Sequence, residues 1–305
     1  MTIAPYLRQI GRGKDGAKPL PFDQALALMQ DILADRVSDL ELGGFALAMR
    51  IKGESPTELA AFMMAAQPHT LALRAPSPAV LLPSYNGARK LPNFTPLLAL
   101  LLARAGVPVL VHGPLTDPGR VTSAEIFAAL GLPPCADADA VHAAWAAGQP
   151  AFIALEVLNP PLARLLALRR VLGLRNSGHT MAKLLPAVMP AVRVVNHTHP
   201  EYAVSLSQYL RDSHADAMLM RGTEGEPVAD CRRQPRGDVY LGGVRDEALS
   251  LALQGGSLTE LPQMPSAIDA LTTAAHIQAI LRGDIAVPAP IAQQVATLLA
   301  ARQAL

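Results

Sequence analysis

Residues 80–131 read VLLPSYNGARKLPNFTPLLALLLARAGVPVLVHGPLTDPGRVTSAEIFAALG and decide the fold. A short apolar run ends at Pro83, and a second one covers 107–111, as is typical of inner strands of a parallel sheet. The Leu- and Ala-rich segment 96–104 between them predicts a buried helix. A capping box that opens at Thr122 predicts the next helix. Two strand–loop–helix units in succession predict parallel strand pairing.

The two loops of this stretch, 83–93 and 112–122, follow the carboxyl ends of the predicted strands. Ligands of open α/β sheets bind outside the carboxyl ends of the strands. We therefore expect any functional site of this sheet to involve these two loops.

The chain on either side of this stretch alternates between helix and strand signals. Before it, 22–34 is amphipathic, and capping boxes open at Ser38 and Ser55, which predicts a module of short helices. After it, strands are predicted at 151–155, 191–195 and 217–220, separated by helices. Residues 223–246 are polar and rich in turn formers, and two further helical regions close the chain. The pattern predicts an α/β protein with a small all-α domain.

Composition excludes several classes of protein. Of 305 residues, half are apolar and only 4% are aromatic, so the core is built from Leu, Ala and Val. Cys135 and Cys231 have no metal-binding or disulfide spacing, which is typical of a reduced protein. The first 19 residues contain no apolar signal sequence, and no apolar run is long enough for a membrane span. The sequence predicts a cytoplasmic protein.

The net charge of +1 hides a segregation of charge. Residues 59–116 and 157–200 contain no acid and together carry +10, so the rest of the chain carries −9. Arg outnumbers Lys by 21 to 5, and Arg makes bidentate contacts to phosphate. The prediction is nucleic-acid binding through backbone phosphates, without base stacking, because aromatic residues are few. The candidate contacts are Arg89, Lys90, Arg164, Arg169, Arg170, Arg175 and Lys183. The alternative is that these are ordinary solvated helix faces.

Three smaller candidates have two interpretations each. His197 and His199 are potential metal ligands, or simply precede a helix that starts at Pro200. Glu224 and Glu226 form either a cation site or a solvated acidic turn. His112 is either a general acid or base, or a turn histidine that bonds to a strand end.

Five segments resemble motifs of anthranilate phosphoribosyltransferase and the related nucleoside phosphorylases, which belong to glycosyltransferase family 3. The family's GTGGDG loop aligns with Pro83–Ala88, its NxST motif with Asn93–Pro96 and its KHGN motif with Val111–Pro114. Its HGxDGxDE motif aligns with Arg221–Val228, and its arginine-bearing segment with Leu168–Arg175. The resemblance implies a homodimer whose small α domain, 1–75 and about 158–186, is hinged to an α/β domain, 76–157 and 187–305, with a mostly parallel sheet flanked by helices.

The departures from these motifs fall on the residues that hold phosphate and metal in the family. Pro83 removes an N–H donor, and Tyr85 adds bulk to a loop that is otherwise rich in glycine. The family's metal-binding Asp-Glu pair is replaced by Pro227 and Val228, and its lysine by Val111. Pro118 and Gly119 replace its serines. The residues that remain predict a vestigial phosphate site and are Asn86, Gly87, Asn93, Thr95, His112, Gly113 and Ser123. Capping and turn formation are the alternative role for them.

This pattern of losses is similar to that of the YbiB-type paralogues of the enzyme, which the resemblance implies are non-catalytic nucleic-acid-binding proteins. We therefore expect a DNA-binding homodimer without catalytic residues, metal or cofactor. The alternative is a phosphoribosyl- or glycosyltransferase with an altered substrate, which would need Mg²⁺. Dimerisation is assigned to the apolar face formed by Phe22, Leu26, Met29 and Leu33, because these are more apolar residues than three helices are expected to bury alone.

Overall fold

The structure is a computed structural model that describes residues 2–13 and 15–305. It divides the chain into two compact units. The helical unit comprises the chain up to Leu71 together with Leu155–Leu185, and the α/β unit comprises Ala72–Ala154 and Pro186–Leu305. The sequence prediction places the corresponding boundaries at 75, about 158 and 186. The predicted fold class, a small helical domain and a larger domain with a mostly parallel sheet, is confirmed.

The elements follow one another in this order along the chain. The helices are α1 (Ala4–Ile10), α2 (Phe22–Leu33), α3 (Asp39–Lys52), α4 (Pro56–Ala66), α5 (Thr95–Arg104), α6 (Ser123–Ala129), α7 (Ala138–Ala146), α8 (Leu155–Leu158), α9 (Pro160–Leu172), α10 (Ser177–Leu184), α11 (Pro200–Asp212), α12 (Ala270–Arg282) and α13 (Ala289–Gln303). The strands are β1 (Ala79–Pro83), β2 (Val109–Gly113), β3 (Ala151–Ala154), β4 (Ala191–His197), β5 (Ala217–Arg221), β6 (Gly237–Leu241) and β7 (Val244–Leu251).

Two predicted helix caps and one buried ion pair stabilise the helical unit. The Ser38 and Ser55 side chains accept hydrogen bonds from the backbone N–H groups three residues on, and both capping boxes are complete. Glu58, in the second box, is fully buried. Its carboxylate lies 2.6 Å from the Lys52 ammonium and accepts the Leu20 N–H at 2.9 Å. This one carboxylate therefore joins α3, α4 and the segment before α2.

The apolar face of α2 is buried differently from the prediction. Met29 and Leu33 are almost completely buried within this chain, because α2 packs on α4. Only Phe22 and Leu26 keep part of their surface exposed. The assumption that the helical unit cannot bury this face is therefore wrong, and the argument for a dimer through these four residues fails. Large apolar side chains are exposed instead on α3, at Leu40, Leu47 and Ile51.

The sheet of the α/β unit has the order β3-β2-β1-β4-β5-β6-β7 within the described residues. The strands from β3 to β5 are parallel, and β6 and β7 pair antiparallel. The chain moves outward from β1 to β2 and β3, then returns to place β4 on the other side of β1. The strand order therefore reverses between β1 and β4, which is where ligands of such sheets bind.

Helices pack on this sheet to form the main core. Side chains of α5, α6, α12 and α13 share one apolar cluster with residues of the strands. The other helices contact the sheet separately: α7 packs on β3, and α11 on β4 and β5. The Leu-rich helix predicted at 96–104 is α5, and it is buried on most sides as predicted.

The hairpin of β6 and β7 contradicts the prediction of a polar, turn-rich segment at 223–246. Gly242 and Gly243 connect the two strands, with φ angles of 54° and 79°. Two successive residues with positive φ form the tight turn that suits a hairpin. The sequence does not indicate β7 as a strand, because it is an edge strand in which Arg245, Asp246 and Glu247 interrupt the apolar pattern. Charged residues are a common protection of edge strands.

Candidate functional site

The loops that follow β1 and β5 meet at the carboxyl edge of the sheet, on either side of β4. Gly225, in the second loop, comes so close to the first that an added Cβ atom would lie 1.6 Å from Nδ2 of Asn86. Its φ angle is 87°, a conformation that favours glycine. The Asn86 amide donates to the Glu224 carbonyl oxygen at 2.7 Å. The two loops are thus locked together next to the reversal of strand order.

The Glu226 carboxylate is buried in the loop after β1. The backbone N–H groups of Asn86 and Gly87 donate to its Oε1 atom at 2.6 and 2.7 Å. The hydroxyl groups of Ser84 and Thr95 donate to Oε2, the latter at 3.2 Å. Only 1% of the Glu226 surface is exposed. The negative end of this side chain is therefore stabilised by neutral donors, without an ion pair in the described chain.

The Glu224 carboxylate occupies the next part of the same loop. It accepts the backbone N–H groups of Arg89, Lys90 and Leu91 at distances between 2.8 and 3.2 Å. Burial raises the pKa of Glu224, but the hydrogen bonds from these three N–H groups outweigh it and hold the pKa below the usual value. Glu224 itself has a left-handed backbone, with φ of 52°.

A series of side-chain hydrogen bonds leads from Asn93 through Ser123 and Ser84 to Glu226. The Ser84 hydroxyl gives its proton to the carboxylate, so the Ser123 hydroxyl, 2.6 Å away, must donate to Ser84. The Asn93 amide in turn donates to Ser123 at 2.9 Å. Each bond in such a chain polarises the next, so the donors for the carboxylate are strengthened.

His112 and Gly113 are at the end of β2 and have structural roles. The His112 ring is fully buried, with Nδ1 2.6 Å from the Tyr85 hydroxyl. Burial, and then the charge of Arg193, lower the pKa of His112 to about 3. The ring is shielded from water and lies within β2, which contradicts the expected position in a turn. At Gly113, an added Cβ atom would lie 1.9 Å from the Ser84 carbonyl oxygen.

The structure thus brings most residues of the predicted vestigial site together. They surround the carboxylate of Glu226, a residue of the same chain. Asn86, Gly87 and Thr95 contact Glu226, and Asn93 and Ser123 support it indirectly. The interpretation of Glu224 and Glu226 as a solvated acidic turn is wrong. Nothing in the sequence reveals their partners, because Glu226 is 140 residues away from Asn86 along the chain.

The site does not fit the Mg²⁺ of the transferase alternative. Pro227 and Val228 supply no carboxylate, and Val228 belongs to the apolar core. Within residues 2–13 and 15–305, no group of three or more His, Cys, Asp or Glu side chains is placed to hold a metal ion, so His197 and His199 have no third ligand. Glu226, the best-placed carboxylate, is already surrounded by donors.

The predicted cations of the helical unit lie mostly on α9 and α10. Arg169 and Arg170 are on α9, Lys183 is on α10, and Arg175 lies in the turn between the two helices, close in sequence to the buried His179. Burial lowers the pKa of His179 to about 3, with the charges of Arg175, Arg169 and Lys183 as further causes. Arg164 and Arg170 are exposed, and the Arg164 guanidinium donates to the Leu33 carbonyl oxygen at 3.0 Å.

The remaining cations of the acid-free segments are in the α/β unit. The side chains of Arg89 and Lys90 are exposed, while their backbone N–H groups hold Glu224. Arg193 is buried in β4, where burial lowers its pKa. It belongs to the interior and not to a basic surface, although the charge pattern of the sequence does not distinguish the two.

A groove with a volume of about 910 Å³ runs along α11 in the α/β unit. One full face of the helix lines it, as the spacing of Pro200, Val204, Ser207 and Arg211 shows. Six arginines line it: Arg211, Arg221, Arg232, Arg233, Arg236 and Arg245. The last four are paired with Asp230 or Asp238. Among the described residues, no carboxylate pairs with Arg211 or Arg221. The sequence prediction missed this groove because its arginines lie outside the acid-free segments.

Comparison with known proteins agrees with this architecture. Residues 4–69 match the family model "Glycosyl transferase family, helical bundle domain". The chain is 38% identical to the uncharacterised protein YbiB of Escherichia coli over 306 residues, which covers 99% of this chain and 94% of YbiB. None of the helices described is long and apolar enough to cross a membrane.

Solved structures of anthranilate phosphoribosyltransferase share the fold. The Thermus thermophilus enzyme superposes with a TM-score of 0.75 at 22% identity and covers 98% of this chain and 89% of its own. The Saccharomyces cerevisiae enzyme in complex with PRPP and Mg gives a TM-score of 0.72 at 14% identity and covers 99% and 88%. The chain therefore belongs to the YbiB family of proteins, which have the fold of anthranilate phosphoribosyltransferase.

Proposed function

We propose that this protein binds nucleic acid, DNA in the first instance, through its phosphate backbone, and that it has no phosphoribosyltransferase activity. The observation that carries the proposal is the concentration of cations on α9 and α10. Arg169 is on α9, Lys183 is on α10 and Arg175 lies in the turn between them, and residues 157–200 contain no acidic residue. Exposed Arg164 and Arg170 extend this positive surface. Such a surface attracts phosphates without reading base sequence.

The groove along α11 supports the same class of ligand in the α/β unit. Its lining carries three more positive than negative side chains when histidine is counted as neutral. Arg211 and Arg221, for which no carboxylate partner is found in the described chain, are available to phosphate. A helix of 13 residues is about 20 Å long, so the groove can follow several phosphates of one strand.

A phosphoribosyl- or glycosyltransferase with an altered substrate is the second candidate. The fold shared with anthranilate phosphoribosyltransferases favours it, as do the polar residues Asn93, Thr95 and Ser123, which remain in the loop region. Against it stand the absence of carboxylates at 227 and 228 and the occupation of the loop by Glu224 and Glu226. Activity would require Mg²⁺ to be held by other groups.

Parallel titrations with a DNA oligomer and with phosphoribosyl diphosphate test the two candidates. We expect binding to DNA whose logarithmic affinity falls linearly with the logarithm of salt concentration, by about 0.9 per phosphate contact on a duplex or about 0.7 on a single strand. We expect no binding of phosphoribosyl diphosphate and no turnover of anthranilate, with or without Mg²⁺. Saturable, Mg²⁺-dependent binding of phosphoribosyl diphosphate would favour the transferase.

The double substitution Arg169→Ala and Arg170→Ala locates the binding surface. It should weaken binding about equally on every sequence and flatten the salt dependence by roughly one unit for each phosphate that these arginines neutralise. Arg282→Ala is the matched control, because this exposed arginine lies on α12 and pairs with Asp284. If the double variant changes neither affinity nor salt dependence, α9 does not contact the nucleic acid.

A further inference from the structure

We propose that the loop after β1 is a preformed diphosphate-type anion site whose ligand is the chain itself. In this proposal the carboxylates of Glu226 and Glu224 take the places of two neighbouring phosphoryl groups. A free anion such as pyrophosphate enters only when these carboxylates are removed. The proposal is independent of nucleic-acid binding, because it concerns a different set of donors.

The backbone of the loop carries the first part of the argument. From Asn86 to Leu91, every N–H group except that of Ala88 donates to one of the two carboxylates. Ala88 donates to the Val121 carbonyl oxygen instead. Successive backbone N–H groups that converge in a concave loop form an anion-binding site. Here they form two adjacent ones, for Glu226 and for Glu224.

Burial and charge carry the second part. Glu226 is almost completely buried, yet no cation of the described chain forms an ion pair with it. Its negative end is balanced by two N–H groups and two hydroxyls, of which the Ser84 hydroxyl is fixed by Ser123 and Asn93. Preorganised neutral donors of this kind suit an oxyanion, and without one they would remain unsatisfied in the interior.

Close packing carries the third part, because it leaves no room for a second anion. An added Cβ atom at Gly222 would lie 1.8 Å from the Glu226 carbonyl oxygen. This approach shows that the turn 222–226 is tightly folded, and Gly225 presses the turn against Asn86 of the loop after β1. Pyrophosphate and the Glu226 side chain therefore cannot occupy the site together.

Rescue by an added anion is the test. Glu226→Ala should lower the melting temperature, since it leaves the buried donors without an acceptor. Sodium pyrophosphate at constant ionic strength should then raise that temperature in proportion to the logarithm of its concentration, by a few degrees at about 100 times Kd. Sodium chloride should not. The unsubstituted protein should show no such response, because its site is occupied.

Three further variants sharpen the result. Glu125→Ala is the matched control: its carboxylate accepts the Thr122 N–H in an α6 capping box near the site, so it should lose stability without anion rescue. Adding Thr95→Val to Glu226→Ala should weaken the response, which assigns the anion to this loop. Glu224→Ala removes the acceptor of the Arg89, Lys90 and Leu91 N–H groups only, so this variant should gain binding of inorganic phosphate. It keeps the proposal testable if Glu226→Ala does not fold.

Two outcomes would overturn the proposal. One is that neither Glu226→Ala nor Glu224→Ala gains anion binding over the unsubstituted protein. The other is that the unsubstituted protein binds pyrophosphate with the affinity of Glu226→Ala and loses it on Thr95→Val. The second result would mean that the turn opens freely and that the carboxylates do not compete for the loop.

Discussion

At the scale of single residues, the site depends on backbones that approach more closely than a side chain allows. Gly113→Ala would bring a Cβ atom to 1.9 Å from the backbone oxygen of Ser84, which cannot move without displacing β1. We expect this substitution to lower the free energy of unfolding by about 1–3 kcal/mol, as is usual for overpacking, and to weaken the hydrogen bond from Ser84 to Glu226. Chemical denaturation measures the change.

Gly119→Ala is the matched control for this prediction. Gly119 lies in the loop after the same strand, and no atom is within 4 Å of where its Cβ atom would be. The free energy of unfolding of the Gly119→Ala variant should stay within about 0.5 kcal/mol of the value for the unsubstituted protein. Equal effects at positions 113 and 119 would contradict the close approach to Ser84.

Buried histidines predict how stability depends on pH. The pKa values of His112 and His179 are lowered to about 3 in the folded protein, against an ordinary value of 6.5. Their contribution to stability is therefore fully present above pH 6.5 and is lost as the pH falls towards 3. For each histidine, the free energy of unfolding should fall by about 2 kcal/mol when the pH is lowered from 7 to 5.

His179→Gln separates this effect from the titration of carboxylates. Glutamine does not take up a proton, so the unfolding free energy should fall less steeply between pH 7 and pH 5 than in the unsubstituted protein. His69→Gln, at an exposed histidine, should leave the pH dependence unchanged. Stability curves of the His179 variant and the unsubstituted protein that run parallel would show that His179 is not buried in the neutral form.

At the scale of elements, Glu58 is the main polar link of the helical unit. It caps α4 through Ser55, pairs with Lys52 and accepts the N–H of Leu20, all without exposure to solvent. Glu58→Ala leaves the Lys52 charge without its partner, so we expect a decrease of about 3–5 kcal/mol in the free energy of unfolding. Glu41→Ala removes the equivalent carboxylate from the exposed capping box of α3 and should cost clearly less. Urea denaturation of the two variants makes the comparison.

The helices were easier to predict from the sequence than the strands at the far edge of the sheet. The capping boxes at Ser38, Ser55 and Thr122 identified their helices because a cap is a local interaction. The hairpin of β6 and β7 was missed, although Gly242-Gly243 is a hairpin signal. The outer strand, β7, is stabilised by pairing with β6 and has no apolar face of its own. Its sequence therefore lacks the alternation of apolar and polar residues that indicates a strand.

At the scale of the whole molecule, the sequence predicts which loops meet at the carboxyl edge of the sheet, but not that Glu226 and Glu224 occupy the loop after β1. Polar residues after β1 and β2 predict a site at the carboxyl edge of the parallel sheet, and the structure brings Asn93, Thr95 and Ser123 together there. That this edge is a functional site stays a prediction. The role of Glu226 depends on an interaction across 140 residues, for which no local pattern exists. Charge patterns have the same limitation, since Arg193 belongs to an acid-free segment and is nevertheless buried.

Dimerisation stays a prediction, and the structure moves it from α2 to α3. Leu40, Leu47 and Ile51 are 88%, 45% and 63% exposed, and their spacing of seven and four residues places them on one face of the helix. A face of this kind matches a copy of itself across a two-fold axis, so we expect a symmetric homodimer.

Substitution of this face should separate the protomers without unfolding them. The pair Leu40→Lys and Ile51→Lys places two charges on each side of the predicted interface, where like charges repel and their burial is costly. Sedimentation velocity at micromolar concentration should show a dimer for the unsubstituted chain and a monomer for this variant. Val171→Lys, at a valine on α9 that is 84% exposed, should remain a dimer. A monomeric unsubstituted chain would contradict the prediction. A lysine variant that remains a dimer would show that α3 is not the interface, because two ammonium groups per protomer cannot be buried there without a carboxylate partner.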